Sequence, residues 1–303
     1  MRSELFSELG LTPSRILLNA AREGRCAVAA LNFYNAETLR AHINAANECN
    51  ASIILQTTAS TIDYLGIELV VAMAGAASRM SSQPIALHLD HGGSFELAKR
   101  CIDAGYSSVM IDGSKLPFEE NIALTRSVVE IAHRAGVSVE GELGHVTQNA
   151  DNENIADYFT RPEDARRFVD ETGVDALAVA IGTAHGFYKG EVKLDLPRLR
   201  EIRDAVGDTA LVLHGGSGVP DELMRDAIRS GIGEDQLRHR TQECVHARGK
   251  RIACGKRRHR PSSHVRSGGE GRRGGLDVED PRVSARVNSF FCVSGGSCAS
   301  NSN

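Results

Sequence analysis

The sequence predicts an α/β chain folded as a (β/α)8 barrel, and three observations carry that expectation. Short apolar, β-branched runs alternate with amphipathic stretches, the pattern of βα units around a parallel sheet. The units repeat mostly every 25–35 residues. An open, doubly wound sheet would place a glycine-rich phosphate loop after the first strand, and neither a G-x-G-x-x-G nor a P-loop occurs there. A chain of 303 residues, 41% hydrophobic, is long enough for one barrel of roughly 250 residues.

The strands read in order are Cys26–Asn32, Ser52–Thr57, Ile85–Asp90, Ser107–Asp112, Val137–Glu142, Ala176–Gly182 and Ala210–His214. Helical periodicity falls near 36–48, 69–80, 95–104, 117–134, 162–171, 196–205 and 219–230, and Pro13 with Ser14 opens an extra helix before the first strand. The segment Gln148–Tyr158 is polar, aperiodic and long for a βα connection, which predicts a rim loop over an active site. Seven strands are legible before residue 233, so the barrel is expected to lack its eighth strand and closing helices.

Net charge divides the chain at the same place. Residues 1–233 hold 21 Lys and Arg against 32 Asp and Glu; residues 234–303 hold 14 against 7. Beyond residue 233 Gly, Arg and Ser dominate and periodicity vanishes, a composition unable to bury enough apolar area to offset ordering. The expected organisation is a barrel over 1–233 and a disordered tail over 234–303. Residues 1–25 have no apolar core of a signal peptide, and no apolar run approaches a membrane span, so a cytoplasmic location is expected without membrane partners. Cys26, Cys49 and Cys101 form no disulfide framework.

Active sites of such barrels collect at the carboxyl ends of the strands. His91, His185 and His214 each follow a strand by at most three residues, so all three converge on one rim. Three neutral imidazoles with an open fourth position are a ligand pattern of catalytic zinc. His88 is mid-strand and His133 helical, and both are read as structural. Asp90 and Glu142 end apolar runs, where carboxylates serve as acid–base groups or orient metal-bound imidazoles. The turns HGFYKG (185–190) and HGGSG (214–218) offer backbone N–H groups, the Lys189 charge and the Ser217 hydroxyl to a phosphate beside the metal.

Together HLDHG, VMIDGS, VEGELG, DALAVAIGTAHGFYKG and LVLHGGSGVPDE make the chain resemble the class II, metal-dependent fructose- and tagatose-bisphosphate aldolases, from about residue 5 to Gly233. The resemblance implies zinc bound by His91, His185 and His214, with Glu142 as ligand of a displaced or second divalent ion. It implies Asp90 as the group moving a proton at the C4 hydroxyl, and Gly186, Lys189, Gly215, Gly216 and Ser217 as the phosphate site. Asn32 and Thr58 occupy places where the family contacts substrate, and Glu153 stands in the loop that carries an acid in relatives. Some members bind a monovalent cation as well. The implied reaction is cleavage of fructose 1,6-bisphosphate to dihydroxyacetone phosphate and glyceraldehyde 3-phosphate through a zinc-stabilised enediolate. Tagatose bisphosphate is the alternative substrate, and relatives are homodimers or homotetramers. A metal-dependent hydrolase would need a group bridging two metals and leaves the glycine turns without a role.

The resemblance stops where the family continues K-I-N-x-x-T-E-L, since this chain reads EDQLRHRTQECV from Glu234. Codons permitted for that stretch, read from the second base, can encode KINFATELKNAF; GKRRHRPSSHV (255–265) can become ENDDIDPRHMF, and relatives carry a D-I-D-P segment near there. The tail therefore reads as out-of-frame translation, leaving an inactive remnant with unpaired edges on the first and seventh strands. The alternative, a basic arm binding nucleic acid or metal, lacks C-x-x-C pairs and interleaved aromatics, so no nucleic-acid partner is expected.

Overall fold

The computed structural model describes residues 5–144, 159–183 and 192–237, with side chains through 234. Eight parallel strands close a barrel in sequential order: β1 Val28–Asn32, β2 Ile53–Thr58, β3 Ile85–Gly92, β4 Ser108–Ile111, β5 Ser138–Leu143, β6 Ala176–Val179, β7 Ala210–Leu213 and β8 Ile232–Leu237. The helices are α1 Leu5–Glu8, α2 Ser14–Gly24, α3 Ala36–Glu48, α4 Ala59–Leu65, α5 Ile67–Met80, α6 Phe95–Ala104, α7 Phe118–Arg134, α8 Pro162–Thr172, α9 Leu196–Val206 and α10 Asp221–Ser230. No single helix among the described residues is long and apolar enough to cross a membrane.

The eighth strand corrects the expectation of an open barrel. Ile232–Leu237 pairs with β1 from Val28↔Glu234 to Leu31↔Leu237, and with β7 at Leu211↔Ile232 and Val212↔Glu234. Parallel pairing draws on backbone N–H and C=O groups, so a six-residue stretch without proline closes the ladder although its side chains lack an apolar pattern. The edges expected on the first and seventh strands are thus paired.

Two apolar layers follow from strand alternation. Residues facing outward, such as Leu55, Leu87, Val109 and Leu211, pack under the helices. In the lumen Val28, Ala30, Ile54, Ala86, Ala176, Ala178, Ala210 and Val212 meet Leu17, Leu18 and Ala21 of α2, which closes the amino end. Ser14 Oγ at the start of α2 lies 2.8 Å from Ser108 Oγ, and the Arg15 backbone N–H donates to Ser138 Oγ at 3.1 Å. The carboxyl half of the lumen is different. Asn32, Gln56, His88, Asp90, Glu140, Glu142 and His214 are all buried there.

Candidate metal centre

Alternation along β3 aims His88 and Asp90 into the lumen, and it would turn His91 outward. Instead His91 takes φ 50°, a left-handed conformation uncommon outside glycine, and the ladder to β4 shifts register between Leu89 and Gly92. The kink lets Asp90 and His91 reach one rim. Gly92 makes the approach possible, because a Cβ there would collide with the Met110 carbonyl and Leu89. Two strands on, Glu140 and Glu142 share the inward face of β5 by the same period of two. His214 follows β7 directly and is fully buried; Gly215 turns the chain at φ 73° into a 3-10 turn over Gly216–Gly218, where Ser217 is buried.

These positions bring His91, Glu142 and His214 together, with one potential ligand atom from each within 4.8 Å of the others. The imidazole rings meet edge to face at 4.8 Å between centroids. Each histidine is also oriented by a carboxylate: His91 Nδ1 lies 2.9 Å from Asp112 Oδ2, and His214 Nε2 lies 2.8 Å from Glu140 Oε1. Such pairs fix the tautomer and ring orientation of metal-binding histidines. Glu142 Oε2 is buried without a hydrogen bond, 3.5 Å from His214 Nδ1 and 3.8 Å from His91 Nδ1. An unbonded carboxylate oxygen facing two imidazoles fits a divalent cation, and this N, N, O donor set suits zinc.

Asp90 is fully buried beside this cluster, its Oδ1 3.8 Å from His91 Nε2. Its Oδ2 accepts a 2.8 Å hydrogen bond from Asn32 Nδ2, and Asn32 Oδ1 in turn accepts from Gln56 Nε2 at 3.0 Å. Thr58 caps α4, accepting from the Thr61 N–H, and stands opposite Asp90 in the β2–β3 register.

Charge explains the protonation pattern. Burial alone lowers the His91 pKa, but the Asp112 hydrogen bond and the charges of Asp90, Glu142 and Asp112 outweigh it and raise it to about 9. Burial pushes Glu142 up to about 7 and, aided by Asp90, Glu140 up to about 8. His214, wholly enclosed, is lowered by burial to about 4. The site is rich in carboxylates and demands a cation, and in the metal-free protein the His91 proton fills that need.

His185, Gly186 and Lys189 lie outside the described residues, as do Glu153 and all of Gln148–Tyr158. Among the described residues, the fold unites Asn32, Asp90, His91, Glu142 and His214 with the turn carrying Gly215, Gly216 and Ser217. His133 is half-exposed on α7 and pairs with Asp175 at 2.9 Å. Three groups have no role assigned from sequence: the half-buried Asp112 orients His91, and the buried Glu140 and Gln56 orient His214 and Asn32. The spacings H-x-D and E-x-E, which put alternate residues on one strand face, are the available signal for His88 and Glu140.

A family model for class II fructose-bisphosphate aldolase matches residues 12–264. The chain belongs to the class II fructose-bisphosphate aldolase family. Among solved structures, this aldolase chain is similar to the YdjI aldolase of Escherichia coli K12, at 30% identity over 93% of both chains and a TM-score of 0.72. It is similar to a putative fructose-1,6-bisphosphate aldolase of Coccidioides immitis, at 30% identity over 91% of both and a TM-score of 0.70. The fructose-bisphosphate aldolase of Campylobacter jejuni shares the fold, at 22% identity over 80% of both and a TM-score of 0.68. The family match runs beyond residue 233, in keeping with an eighth strand in the barrel.

Proposed function

We propose that this aldolase's site is built to cleave a ketose 1,6-bisphosphate, fructose 1,6-bisphosphate first, into dihydroxyacetone phosphate and glyceraldehyde 3-phosphate. The observation that carries the reading is the convergence of His91, Glu142 and His214 beside a buried carboxylate at the barrel rim. His91, His214 and Glu142, joined by His185, would hold zinc, which when bound supplies Lewis acidity toward the ketone and hydroxyl oxygens. Asp90 accepts the proton of the C4 hydroxyl as the C3–C4 bond breaks. Asn32 and Gln56 keep that carboxylate aimed. The backbone N–H groups of the Gly215–Ser217 turn, with the Ser217 hydroxyl, receive a phosphate. The test is cleavage of fructose and tagatose 1,6-bisphosphates by the full chain with zinc. Triose phosphate should form, vanish with chelator and return with zinc; no cleavage of either epimer by zinc-loaded protein would overturn the reading.

A second reading is favoured by Glu234. It is buried, and its register partners Val28 and Val212 line the apolar lumen. Codons permitted for Glu234 onward, read from the second base, permit the lysine with which the family continues at this position. Under this reading the site is assembled but the chain cleaves poorly. Sequencing the gene across codon 233 should find one extra base. Equal turnover by this chain and its frame-restored version would refute it.

A further inference from the structure

A line of buried polar side chains crosses the lumen from the floor to the metal centre, and the function above employs only its last members. Ser14 Oγ on α2 is 2.8 Å from Ser108 Oγ, and Ser108 Oγ is 2.7 Å from His88 Nδ1. His88 Nε2, buried and without a hydrogen bond, lies 3.6 Å from Glu140 Oε2; the other oxygen, Oε1, is 2.8 Å from His214 Nε2. We propose that His88 is a positioning residue that holds Glu140 and thereby selects Nδ1 of His214 as the metal-binding nitrogen. The inference rests on the metal-centre reading above.

Donor and acceptor chemistry gives the line one direction. Each serine has one hydroxyl proton, and a neutral imidazole has one N–H and one lone pair. With Ser14 donating to Ser108 and Ser108 donating to His88 Nδ1, the His88 proton sits on Nε2, facing Glu140 Oε2. Glu140, when ionised, then accepts from His214 Nε2–H at one oxygen, and its other oxygen faces the His88 Nε2–H at the ion-pair distance of 3.6 Å. The reverse direction would set the His88 Nε2 lone pair against a carboxylate oxygen. Fixing the proton of His214 on Nε2 leaves the Nδ1 lone pair, and Nδ1 is the atom 3.5 Å from Glu142 Oε2. Without His88, Glu140 keeps one oxygen unheld in the lumen and can rotate away from His214. An unheld buried carboxylate is costly, so the network acts as a unit.

The test reads the His214 tautomer by long-range proton–nitrogen NMR on the metal-free full chain, and zinc affinity by chelator competition. Wild type should carry the Nε2–H tautomer at His214. His88→Ala and Ser108→Ala should mix the tautomers and weaken zinc binding by roughly 10–100-fold for His88→Ala. His88→Gln, whose amide N–H can donate to Glu140, should restore both readings substantially. Tyr106→Phe, which breaks a buried 2.7 Å hydrogen bond to Thr57 outside this line, should lower the melting temperature and leave both unchanged. An unaltered tautomer and a zinc Kd within about twofold of wild type in Ser108→Ala and His88→Ala would overturn the proposal. So would a loss in His88→Ala that His88→Gln fails to restore, which would assign packing instead. If His88→Ala fails to fold, Ser108→Ala and His88→Gln decide between these outcomes. If wild type binds no zinc, the metal-centre reading fails, while the metal-free tautomers still decide the role of His88.

Discussion

At the scale of single residues, the site depends on which atom of each side chain is already engaged. Asp112 occupies Nδ1 of His91, so replacing it with asparagine keeps the shape but removes the charge that orients and polarises the ring. Asp112→Asn should weaken zinc affinity by about 10–100-fold, read by chelator competition, with little change in fold by circular dichroism. Asp90→Asn should bind zinc nearly normally and lose about 10²–10⁴ in kcat, because general-base proton transfer contributes on that order. Near-wild-type turnover of Asp90→Asn would remove it from the reaction. His91, Asp90 and His214 are legible in the sequence because each ends a strand run. The roles of Asp112 and Glu140 are not, since each orients a histidine carried by another strand, His91 from β3 and His214 from β7.

At the scale of elements, β3 decides whether two consecutive residues can face one site. The left-handed His91 and the register shift before Gly92 hold a strained backbone that β4 stabilises. Gly92→Ala would drive a methyl group into the Met110 carbonyl and the Leu89 side chain. The expected cost is about 1–3 kcal/mol in denaturant unfolding, with weakened zinc binding as His91 swings from the rim. An unchanged midpoint would show that the bulge relaxes freely. The helices at 36–48, 95–104, 162–171 and 196–205 are legible in the sequence within a residue or so, because a cap, a glycine or a proline marks their ends. The short α1 and α4 are not; seven or fewer residues offer too few turns for a period to register.

For the whole molecule, metal and protons compete for one cluster. In the metal-free protein the folded-state pKa of His91 is raised to about 9 and that of Glu142 to about 7, so these two groups bind more protons in the native state than in the unfolded chain between pH 6.5 and 9. The stability His91 contributes is complete below its unfolded value near 6.5 and is lost as pH rises through about 9. Metal-free protein should therefore melt lower at pH 9 than at pH 7. Zinc binding at pH 7 should release protons, measured by calorimetry in buffers of different ionisation enthalpy. Zinc at a hundredfold excess over its Kd should add about 2.7 kcal/mol of stability. A melt indifferent to zinc would mean that the three ligands do not close on an ion.

The sequence alone determined the barrel, the order of its units and the rim positions of His91 and His214, because strand alternation, helix punctuation and strand ends are local signals carried by side-chain type. Tertiary structure decided three things. It closed the ladder with Ile232–Leu237, since backbone pairing with β1 and β7 is indifferent to side-chain pattern. It drew Glu142 into the same cluster as His91 and His214. And it joined His88, Glu140 and His214 across three strands, a contact set by the circumference of the barrel rather than by spacing along the chain.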